Sequence, residues 1–544
     1  MSEPASASAP AGAPPVAHPE VGWRRLPPKM LVVAPATILL KFLPAFVIVL
    51  VFGGSESPIK IWITVAIAVL AVVAGMVRWQ TTRYRITPDR VELHSGLVNR
   101  QRRSVPRDRI RTVDLTSTFL HQMFGLSVVK VGAGQSSTAG KDGQGLDLDA
   151  VSGDEAERLR RELLTVPAPA SGALPPDTQD PDTLGSDTSV PATVAPQGDT
   201  AAEPLELDRL SWASLRYAPL TVSSLAAIGA LGAAGWNLAN EARIDPRTLP
   251  GVSTATDELS SAPLWVAILV GVGLLLVVLV AGALVLFTER WWNFRLTREP
   301  DGTLRVRRGL LTQRSLSVSE RRLRGVAVTE PLLVRLVGRG AQAGALSVGL
   351  GGSDGKDGGG GALQPPVPAA QAHQVATVAM RSPEPVTDVP LRSHPAAART
   401  RRLTRAIVPA LVLVAVAWVL SRVWELAWLG PVSLVLLPLA LLLGLDRYRS
   451  LGHRLDGRFL VSRQGSLVRG TVALQRDGVI GWRIRQSWFQ RRAGVVTLDA
   501  ITGAGSGAYG ILDVDPATAV DLARSTTPAA LAAFTPGDPH PERR

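Results

Sequence analysis

The stretch SGLVNRQRRSVPRDRIRTVDLTSTFLHQMFG, residues 95–125, carries six arginines and two acidic residues, and its pattern decides the fold. Around Gly96, residues 90–105 place apolar side chains near alternate positions, which is typical of an antiparallel strand hairpin. Residues 109–115 alternate again, and residues 116–125 space their apolar side chains as one helical turn or an irregular corner does. We therefore predict a hairpin, a third strand and a short helical corner, followed by another strand.

The same pattern occurs three times, each time anchored on a glycine, with an apolar residue 14 positions later and a second glycine 29 positions later. The three sets are Gly96, Ile110 and Gly125; Gly309, Leu323 and Gly338; and Gly465, Val479 and Gly494. A match at fixed offsets without gaps indicates an internal repeat. Each copy also ends in a predicted helix, at residues 152–164, 369–380 and 515–525. We predict three copies of a small antiparallel β-barrel or sandwich with a C-terminal capping helix.

The composition indicates a membrane protein. Of the 544 residues 46% are hydrophobic and 19% charged, which is too apolar for an ordinary soluble chain of this length. Six apolar segments, which come in pairs with short gaps, lie at residues 31–52, 61–77, 219–239, 264–287, 406–420 and 428–445. A helix of roughly 20 residues crosses a bilayer. We therefore predict a multi-pass α-helical membrane protein with three transmembrane hairpins.

The basic residues predict the orientation. Arginine and lysine stand before and after each predicted hairpin and are few in the turns within the hairpins, so both termini and the three β-domains are expected on the cytoplasmic side. Lys41 lies inside the first segment. It is either a functional intramembrane charge or a side chain that reaches the cytoplasmic surface. We favour the second interpretation, because the second segment holds no acid to pair with Lys41.

Composition shifts divide the chain further. Residues 165–204 are rich in Pro, Ala, Thr and Asp and contain no lysine or arginine, which is typical of disorder. The predicted organisation is a disordered N-terminus at 1–22, hairpins at 23–78, 205–290 and 383–446, β-domains at 79–164, 291–382 and 447–525, a disordered linker at 165–204, a Gly-rich loop at 351–366 and a flexible C-terminus at 526–544.

The repeated motif joins a Y-x-I-T sequence, a central glycine, a P-x-x-R-I segment and a closing F-G, here at residues 84–87, 96, 106–110 and 116–125. This motif resembles the bacterial pleckstrin-homology-like (PH-like) domain of the YdbS/YdbT type, and the threefold layout resembles the YdbT branch. Copy three departs from the motif, since Gly478 and Trp482 replace the family's Arg and Val. The resemblance implies a PH-like fold, a bacterial cell membrane location, a role in envelope maintenance, and a smaller PH-like membrane protein as partner.

No constellation of residues indicates catalysis. The chain has no cysteine, which excludes thiolate chemistry and Cys-based zinc sites, and its seven histidines lack ligand spacing. Three motif-like stretches fail on context or spacing: G-x-S-x-G in a glycine tract at 351–355, G-x-G-x-x-G before a strand at 505–510, and a P-loop-like run at 134–142. We predict no catalytic residue, no cofactor and no metal site, and hence no enzyme.

The basic stretch leaves two interpretations open. Residues 79–134 carry ten basic and four acidic residues, a net charge of +6. Held near the inner leaflet, this charge can bind anionic lipid headgroups, and the candidate contacts are Arg100, Arg102, Arg103, Arg107 and Arg109. It can equally be a solvated sheet edge whose charge prevents edge-to-edge pairing. Nucleic acid is not expected as a partner, because no aromatic platform for bases is interleaved with the arginines.

Two functions follow from this sequence. The first is a non-enzymatic integral membrane protein whose PH-like domains form a scaffold or a binding module for protein or anionic lipid. The alternative is a transporter or export component of the cell membrane. Against the alternative, the apolar segments hold almost no polar residues beyond Lys41, whereas substrate pathways require them.

Overall fold

The computed structural model of the chain describes residues 22–33, 35–37, 58–87, 90–96, 100–107, 110–133, 145–164, 203–220, 229–230, 232–233, 237, 262–347 and 361–528. Within them one arrangement of strands occurs three times. We refer to these units as repeat one (residues 83–164), repeat two (295–379) and repeat three (452–526).

Repeat one confirms the local predictions made from residues 95–125. Its strands are β2 (Arg83–Ile86), β3 (Arg90–Ser95), β4 (Gln101–Pro106), β5 (Ile110–Ser117), β6 (Leu126–Ala133) and β7 (Gly145–Ser152). The helical corner is α2 (Phe119–Met123), and the closing helix is α3 (Gly153–Leu164). A short strand, β1 (Arg24–Arg25), pairs with β2.

Repeats two and three follow the same order of elements, except that repeat two has two short strands before its closing helix where the other repeats have one. Repeat two has β9 (Arg295–Arg298), β10 (Thr303–Arg308), β11 (Gln313–Ser319), β12 (Leu323–Pro331), β13 (Gly340–Ser347), β14 (Gly361–Ala362), β15 (Val367–Pro368), α5 (Leu332–Gly338) and α6 (Ala369–Ala379). Repeat three has β16 (Gly452–Asp456), β17 (Phe459–Gln464), β18 (Val468–Gln475), β19 (Val479–Arg485), β20 (Val496–Thr502), β21 (Ala508–Val514), α10 (Trp488–Arg492) and α11 (Pro516–Thr526). Short 3-10 helices lie at Trp212–Leu220, Glu320–Arg322 and Arg476–Gly478.

The anchor glycines perform the same task in all three repeats. Gly96, Gly309 and Gly465 have φ angles of 99°, 109° and 102°, in a region that side-chain-bearing residues rarely adopt. A Cβ atom at Gly309 would lie 2.0 Å from the main-chain oxygen of Thr312, and one at Gly465 equally close to that of Val468. Only glycine fits this tight turn, which explains why it marks the repeat in the sequence.

Each repeat is built from two sheet halves. The first half contains the three strands before the central turn, namely β2–β4, β9–β11 and β16–β18, and the second half contains the strands after it, beginning with β5, β12 and β19. The second half of one repeat continues into the first half of the next, since β5 pairs with β11 and β12 pairs with β18. Two sheets therefore run across repeat boundaries. One has the order β7-β6-β5-β11-β10-β9-β8, where β8 is Leu205–Arg209, and the other has the order β14-β13-β12-β18-β17-β16.

The apolar cores follow the sheet halves. The core of repeat one lies between its own halves and contains Val91, Ile110 and Val113, all fully buried. The core of repeat two also includes Phe459 and Val461 of repeat three. Repeats two and three therefore share buried apolar surface as well as strand pairing.

Three helices in the described ranges are long and apolar enough to cross a membrane, Trp265–Trp291, Ala396–Val423 and Leu429–Arg449. They correspond to α4 (Leu264–Trp291), to α7 (Ala396–Val423), and to α8 (Leu429–Ser433) together with α9 (Leu436–Arg449). The predicted segment 61–77 lies within α1 (Pro58–Thr81). The predicted segments 31–52 and 219–239 lie largely outside the described residues, and Lys41 lies wholly outside them.

Each apolar stretch is bracketed by two strand segments that pair with each other. β1 pairs with β2, β8 (Leu205–Arg209) pairs with β9, and Arg392 forms an isolated antiparallel bridge with His453 of β16. In all three places the chain leaves a sheet before the apolar stretch and returns to the neighbouring strand after it. The two ends of each stretch therefore lie next to each other.

Candidate functional site

The candidate lipid contacts lie on or beside β4, the outer strand of the first sheet. Arg102 and Arg103 lie within β4, Arg100 directly precedes it and Arg107 directly follows it. Arg109 lies outside the described residues. In the described part of the chain β4 pairs with β3 alone, so these arginines line an open sheet edge.

The arginines differ in what they contact. Arg100 is exposed, and the side chain of Arg102 is 66% exposed, with its Nη2 atom 3.5 Å from Oε1 of Glu92. Arg107 is only 16% exposed and donates a hydrogen bond of 2.5 Å from Nη2 to the main-chain oxygen of Glu162 in α3. Arg107 therefore fastens the closing helix to the sheet, whereas Arg100 and Arg102 face solvent.

A buried carboxylate lies beneath the basic strand. Glu92 on β3 is 2% exposed, and its Oε2 atom lies 2.7 Å from Nη2 of Arg85. The hydrogen bond from Arg85 holds the pKa of Glu92 below its ordinary value, although burial acts in the opposite direction. Arg85 is thus neutralised within the sheet, and the excess charge of this face comes from the arginines around β4.

A buried ion-pair network closes the junction between repeats one and two. Nη2 of Arg160 on α3 lies 2.7 Å from Oε1 of Glu157 and 2.8 Å from Oε2 of Glu299 in repeat two. Arg305 of repeat two contacts the same two carboxylates at 2.8 and 3.2 Å. Burial acts to raise the pKa of Glu157, but the two arginines outweigh it and hold this pKa below its ordinary value. The network ties the helix of one repeat to the sheet of the next.

The junction between repeats two and three reaches the membrane helices. Arg469 on β18 is the register partner of Glu330 on β12, with their charged atoms 3.5 Å apart. Arg469 also lies 3.4 Å from Asp446 on α9, and Arg335 on α5 contacts the same carboxylate at 2.7 Å. The sheet that crosses this junction is therefore attached to the end of a candidate membrane span.

A second buried carboxylate anchors repeat three to α7. Asp513 on β21 is fully buried and contacts both Arg401 and Arg402, the latter at 2.5 Å between Nη2 and Oδ2. Its φ angle is 56°, which is uncommon for any residue other than glycine. Such backbone strain persists only where the surrounding contacts fix it, and here two arginines from the start of a membrane helix do so.

A cavity of about 350 Å³ lies in repeat three beside this cluster. Arg402 and Arg447 line it, together with the polar side chains of Ser462, Gln464 and Tyr509. Both arginines come from α7 and α9, so the cavity lies where the candidate spans enter the β-structure. The rest of the lining is mainly apolar, and Arg402 is already paired with Asp513, so Arg447 is the cation through which the cavity could bind an anionic group. The sequence alone does not indicate this cavity, because its two arginines are 45 positions apart and belong to no motif.

The motif-like stretches show no catalytic arrangement in the described residues. The G-x-G-x-x-G run at 505–510 forms the turn between β20 and β21, not the strand-to-helix turn that binds nucleotides. Residues 134–142 and 351–355 lie outside the described residues. No group of three or more His, Cys, Asp or Glu side chains that could hold a metal ion occurs among the residues described.

Comparisons with known proteins agree with this architecture. The family described as Bacterial PH domain matches residues 37–166 and 405–527, which include repeats one and three and part of the apolar stretch before each. The chain is also similar to the transmembrane protein YdbT of Bacillus subtilis (strain 168), at 22% identity over 467 residues, which cover 85% of this chain and 88% of the relative. No solved structure matches the chain.

Proposed function

The chain belongs to the bacterial PH domain membrane proteins of the YdbT type, and from this premise we propose that it is a non-enzymatic membrane scaffold. Repeat two serves as a third PH-like domain between the two that match the family. The three domains act as one stiff platform instead of three independent modules. The observation that carries this proposal is the pairing of β5 with β11 and of β12 with β18, since each junction joins two repeats through a row of main-chain hydrogen bonds.

The strand pairs around the apolar stretches support a hairpin topology. Because both ends of each stretch lie in neighbouring strands, the chain crosses the bilayer an even number of times in each stretch. The three repeats then lie on one side of the membrane. The arginines and lysines that flank the apolar stretches favour the cytoplasmic side for the repeats and for both termini.

A second candidate function, contact with anionic lipid, is supported by the exposure of Arg100 and Arg102. A cation held near an anionic membrane surface contributes about 1 kcal/mol to binding. Arg107 is not expected to contribute, since Glu162 occupies its side chain. The cavity beside α7 and α9 offers an anionic headgroup a second place through Arg447, since Asp513 already binds Arg402.

The scaffold is tested by cross-linking the two junctions in the full chain, which has no natural cysteine. The pairs Thr116→Cys with Arg314→Cys, and Glu330→Cys with Arg469→Cys, join register partners of the two junctions. Partners in antiparallel strands have Cα atoms roughly 4.5–5.5 Å apart, which a disulfide can span. We expect both pairs to form disulfides within one chain after oxidation of native membranes, as detected by mass spectrometry of linked peptides.

The control pair is Thr116→Cys with Val318→Cys. Val318 lies four residues from Arg314 along β11, or roughly 13 Å, so this pair should not link. If the register pairs form no intramolecular disulfide, or link no better than the control pair, the repeats do not form one platform and the proposal is wrong.

A further inference from the structure

The two repeat junctions have the same register. At the first junction, the residue 16 positions after its anchor glycine, Thr112, pairs with the residue nine positions after the next anchor, Val318. At the second junction, the residues at the same two offsets, Gly325 and Leu474, pair with each other. At both junctions, the second sheet half of one repeat therefore pairs with the first sheet half of the next repeat at the same offsets. We call the strand that begins the second sheet half the acceptor strand.

Repeat three also contains this acceptor strand, and no strand in the described part of the chain pairs with its free side. β19 corresponds to β5 and β12, and it pairs with β20 on one side only, among all described residues. The residue 19 positions after the anchor is Leu115 in repeat one, Val328 in repeat two and Ile484 in repeat three. Leu115 and Val328 are 8% and 0% exposed, whereas Ile484 is 52% exposed. The apolar position that is buried at the two internal junctions is therefore exposed in repeat three.

A neighbouring residue of β19 also favours strand pairing at this edge. Ile480 is 71% exposed, although its counterpart in repeat two is Arg324. An exposed, apolar edge strand offers main-chain donors and acceptors to any strand that can pair with it. A protein that avoids such pairing places unpaired charge or proline on the edge. β19 contains no proline, and its two arginines, Arg483 and Arg485, are both paired with Asp499 of the neighbouring strand β20.

The edge strand at the opposite end of the three repeats, β4, is protected by charge and by proline. The position seven residues after the anchor is Leu316 in repeat two and Val472 in repeat three, but Arg103 in repeat one, where it is the register partner of the core residue Leu93. Pro106 ends the strand and has no N–H group to donate. Inward-pointing charge and proline are common means of blocking an edge.

A second copy of this chain does not fit β19. In the junction register, β4 of a second copy would place its Arg103 directly opposite Arg483, and like charges opposite each other destabilise a strand pair. The partner must instead bring uncharged or acidic side chains to Arg483 and Arg485, which are 53% and 57% exposed beside Asp499. Opposite Ile484 it needs a small side chain, as Ser315 and Thr471 provide at the two internal junctions.

We propose that the free edge of β19 binds the first sheet half of a PH-like repeat on a different polypeptide, in the register of the internal junctions. This inference rests on the proposed scaffold function and names the class of partner. The partner is a PH-like protein whose edge strand carries small side chains and no basic ones. The partner would extend the platform by one further link.

The test uses the full-length chain in its native membrane, with the photo-reactive amino acid p-benzoylphenylalanine in place of Ile484. We expect an adduct with another polypeptide, which mass spectrometry maps to the strand before the central turn of a PH-like repeat. The matched control places the same probe at Arg102 on the protected edge, where this adduct should be absent. With the probe moved to Ile480, the variant Ile484→Arg should reduce the adduct at least tenfold, and Ile484→Val should retain it.

Ile484 is half exposed, so its substitution is not expected to unfold the chain, and an unchanged thermal midpoint verifies this. Several results would overturn the proposal: an adduct with a second copy of this chain, an adduct within the chain to residues 529–544, an adduct with lipid only, or none. The disulfide test of the internal junctions is independent, so a failure here with intact junctions contradicts the docking edge and leaves the scaffold standing.

Discussion

The guanidinium group of Arg160 in repeat one lies 2.8 Å from the carboxylate of Glu299 in repeat two, although 139 positions separate the two residues. Arg160 is 2% exposed, so this contact is made away from water. A buried ion pair contributes little net free energy to the stability of the fold. Removal of one partner, however, leaves the other charge buried and uncompensated. The integrity of the first junction therefore depends on this arginine.

The variant Arg160→Met should lower the free energy of unfolding by about 3 kcal/mol, because Glu157 and Glu299 are then left with Arg305 alone. The loss is measured as a shift of the thermal midpoint of the full chain in detergent. Arg158→Met, an exposed position on the same helix, is the control and should change little. Equal midpoints for Arg160→Met and the unmodified chain would show that the network does not hold the junction.

The variant Gly338→Ala should destabilise the chain by about 1–3 kcal/mol through overpacking. A Cβ atom there would lie 2.6 Å from Cε1 of Tyr217, which is fully buried and donates a hydrogen bond of 2.9 Å to the main-chain oxygen of Gly338. Gly457→Ala is the matched control, since no atom lies within 4 Å of the added Cβ. Chemical unfolding of both variants measures the difference, and equal effects would contradict the tight packing of Tyr217.

The double variant Arg100→Gln with Arg102→Gln should weaken contact with anionic lipid by about 2 kcal/mol, or roughly thirtyfold. The measurement uses the full chain in nanodiscs. An environment-sensitive dye is attached at Ser104→Cys, which lies on β4 between Arg102 and the end of the strand. Contact should also fade with salt, since the Debye length falls from about 10 Å at 0.1 M to about 3 Å at 1 M.

Arg107→Gln serves as the comparison for lipid contact, because Glu162 already binds this side chain, and it should leave the dye response unchanged. If neutral and anionic nanodiscs give the same response, or if the double variant responds like the unmodified chain, the arginines of β4 serve only as a charged edge that keeps the sheet from pairing.

Acidification should destabilise repeat three. His394 and His453 are 6% and 4% exposed, and burial lowers the pKa of each to about 4. In the unfolded chain both would titrate near 6.5, so the folded state binds fewer protons between these values and stability falls as pH drops from about 6.5 to about 4. We expect a loss of about 4 kcal/mol between pH 7 and pH 5, about 2 kcal/mol from each histidine, measured from thermal midpoints.

Nδ1 of His453 lies 3.1 Å from Nε2 of His394, so protonation of both rings would place two donors against each other. The variant His453→Gln removes one titrating group and should show a smaller loss between pH 7 and pH 5. A pH dependence identical to that of the unmodified chain would mean that other groups cause the loss.

The local elements of this fold could be predicted from the sequence because local chemistry fixes them. Alternating apolar residues gave β3 and β5, a glycine with positive φ gave the turn at Gly96, and the apolar spacing after Thr118 gave α2. Length and hydropathy were enough to find α4 and α7. Each of these signals lies within a few residues of the structure that it specifies.

The sheets that cross the repeats could not be predicted, because the pairing of Thr112 with Val318 joins residues 206 positions apart and leaves no local mark. The roles of the arginines were hidden for the same reason. Arg102 and Arg107 look alike in the sequence, but only Arg107 meets the end of α3, which lies 55 residues further along the chain. Whether a charge is free or engaged is decided by the tertiary fold.

The common register of the two junctions also bears on how such proteins change in length. If repeat two and its membrane stretch were lost, β18 would meet β5 with the same offsets at which it now meets β12. No new pairing register would have to arise, because the two junctions use the same offsets. Gene duplication or deletion of a whole repeat with its membrane stretch can therefore lengthen or shorten the protein by one repeat at a time. The number of repeats is then set by the history of the gene, because the fold allows more than one number.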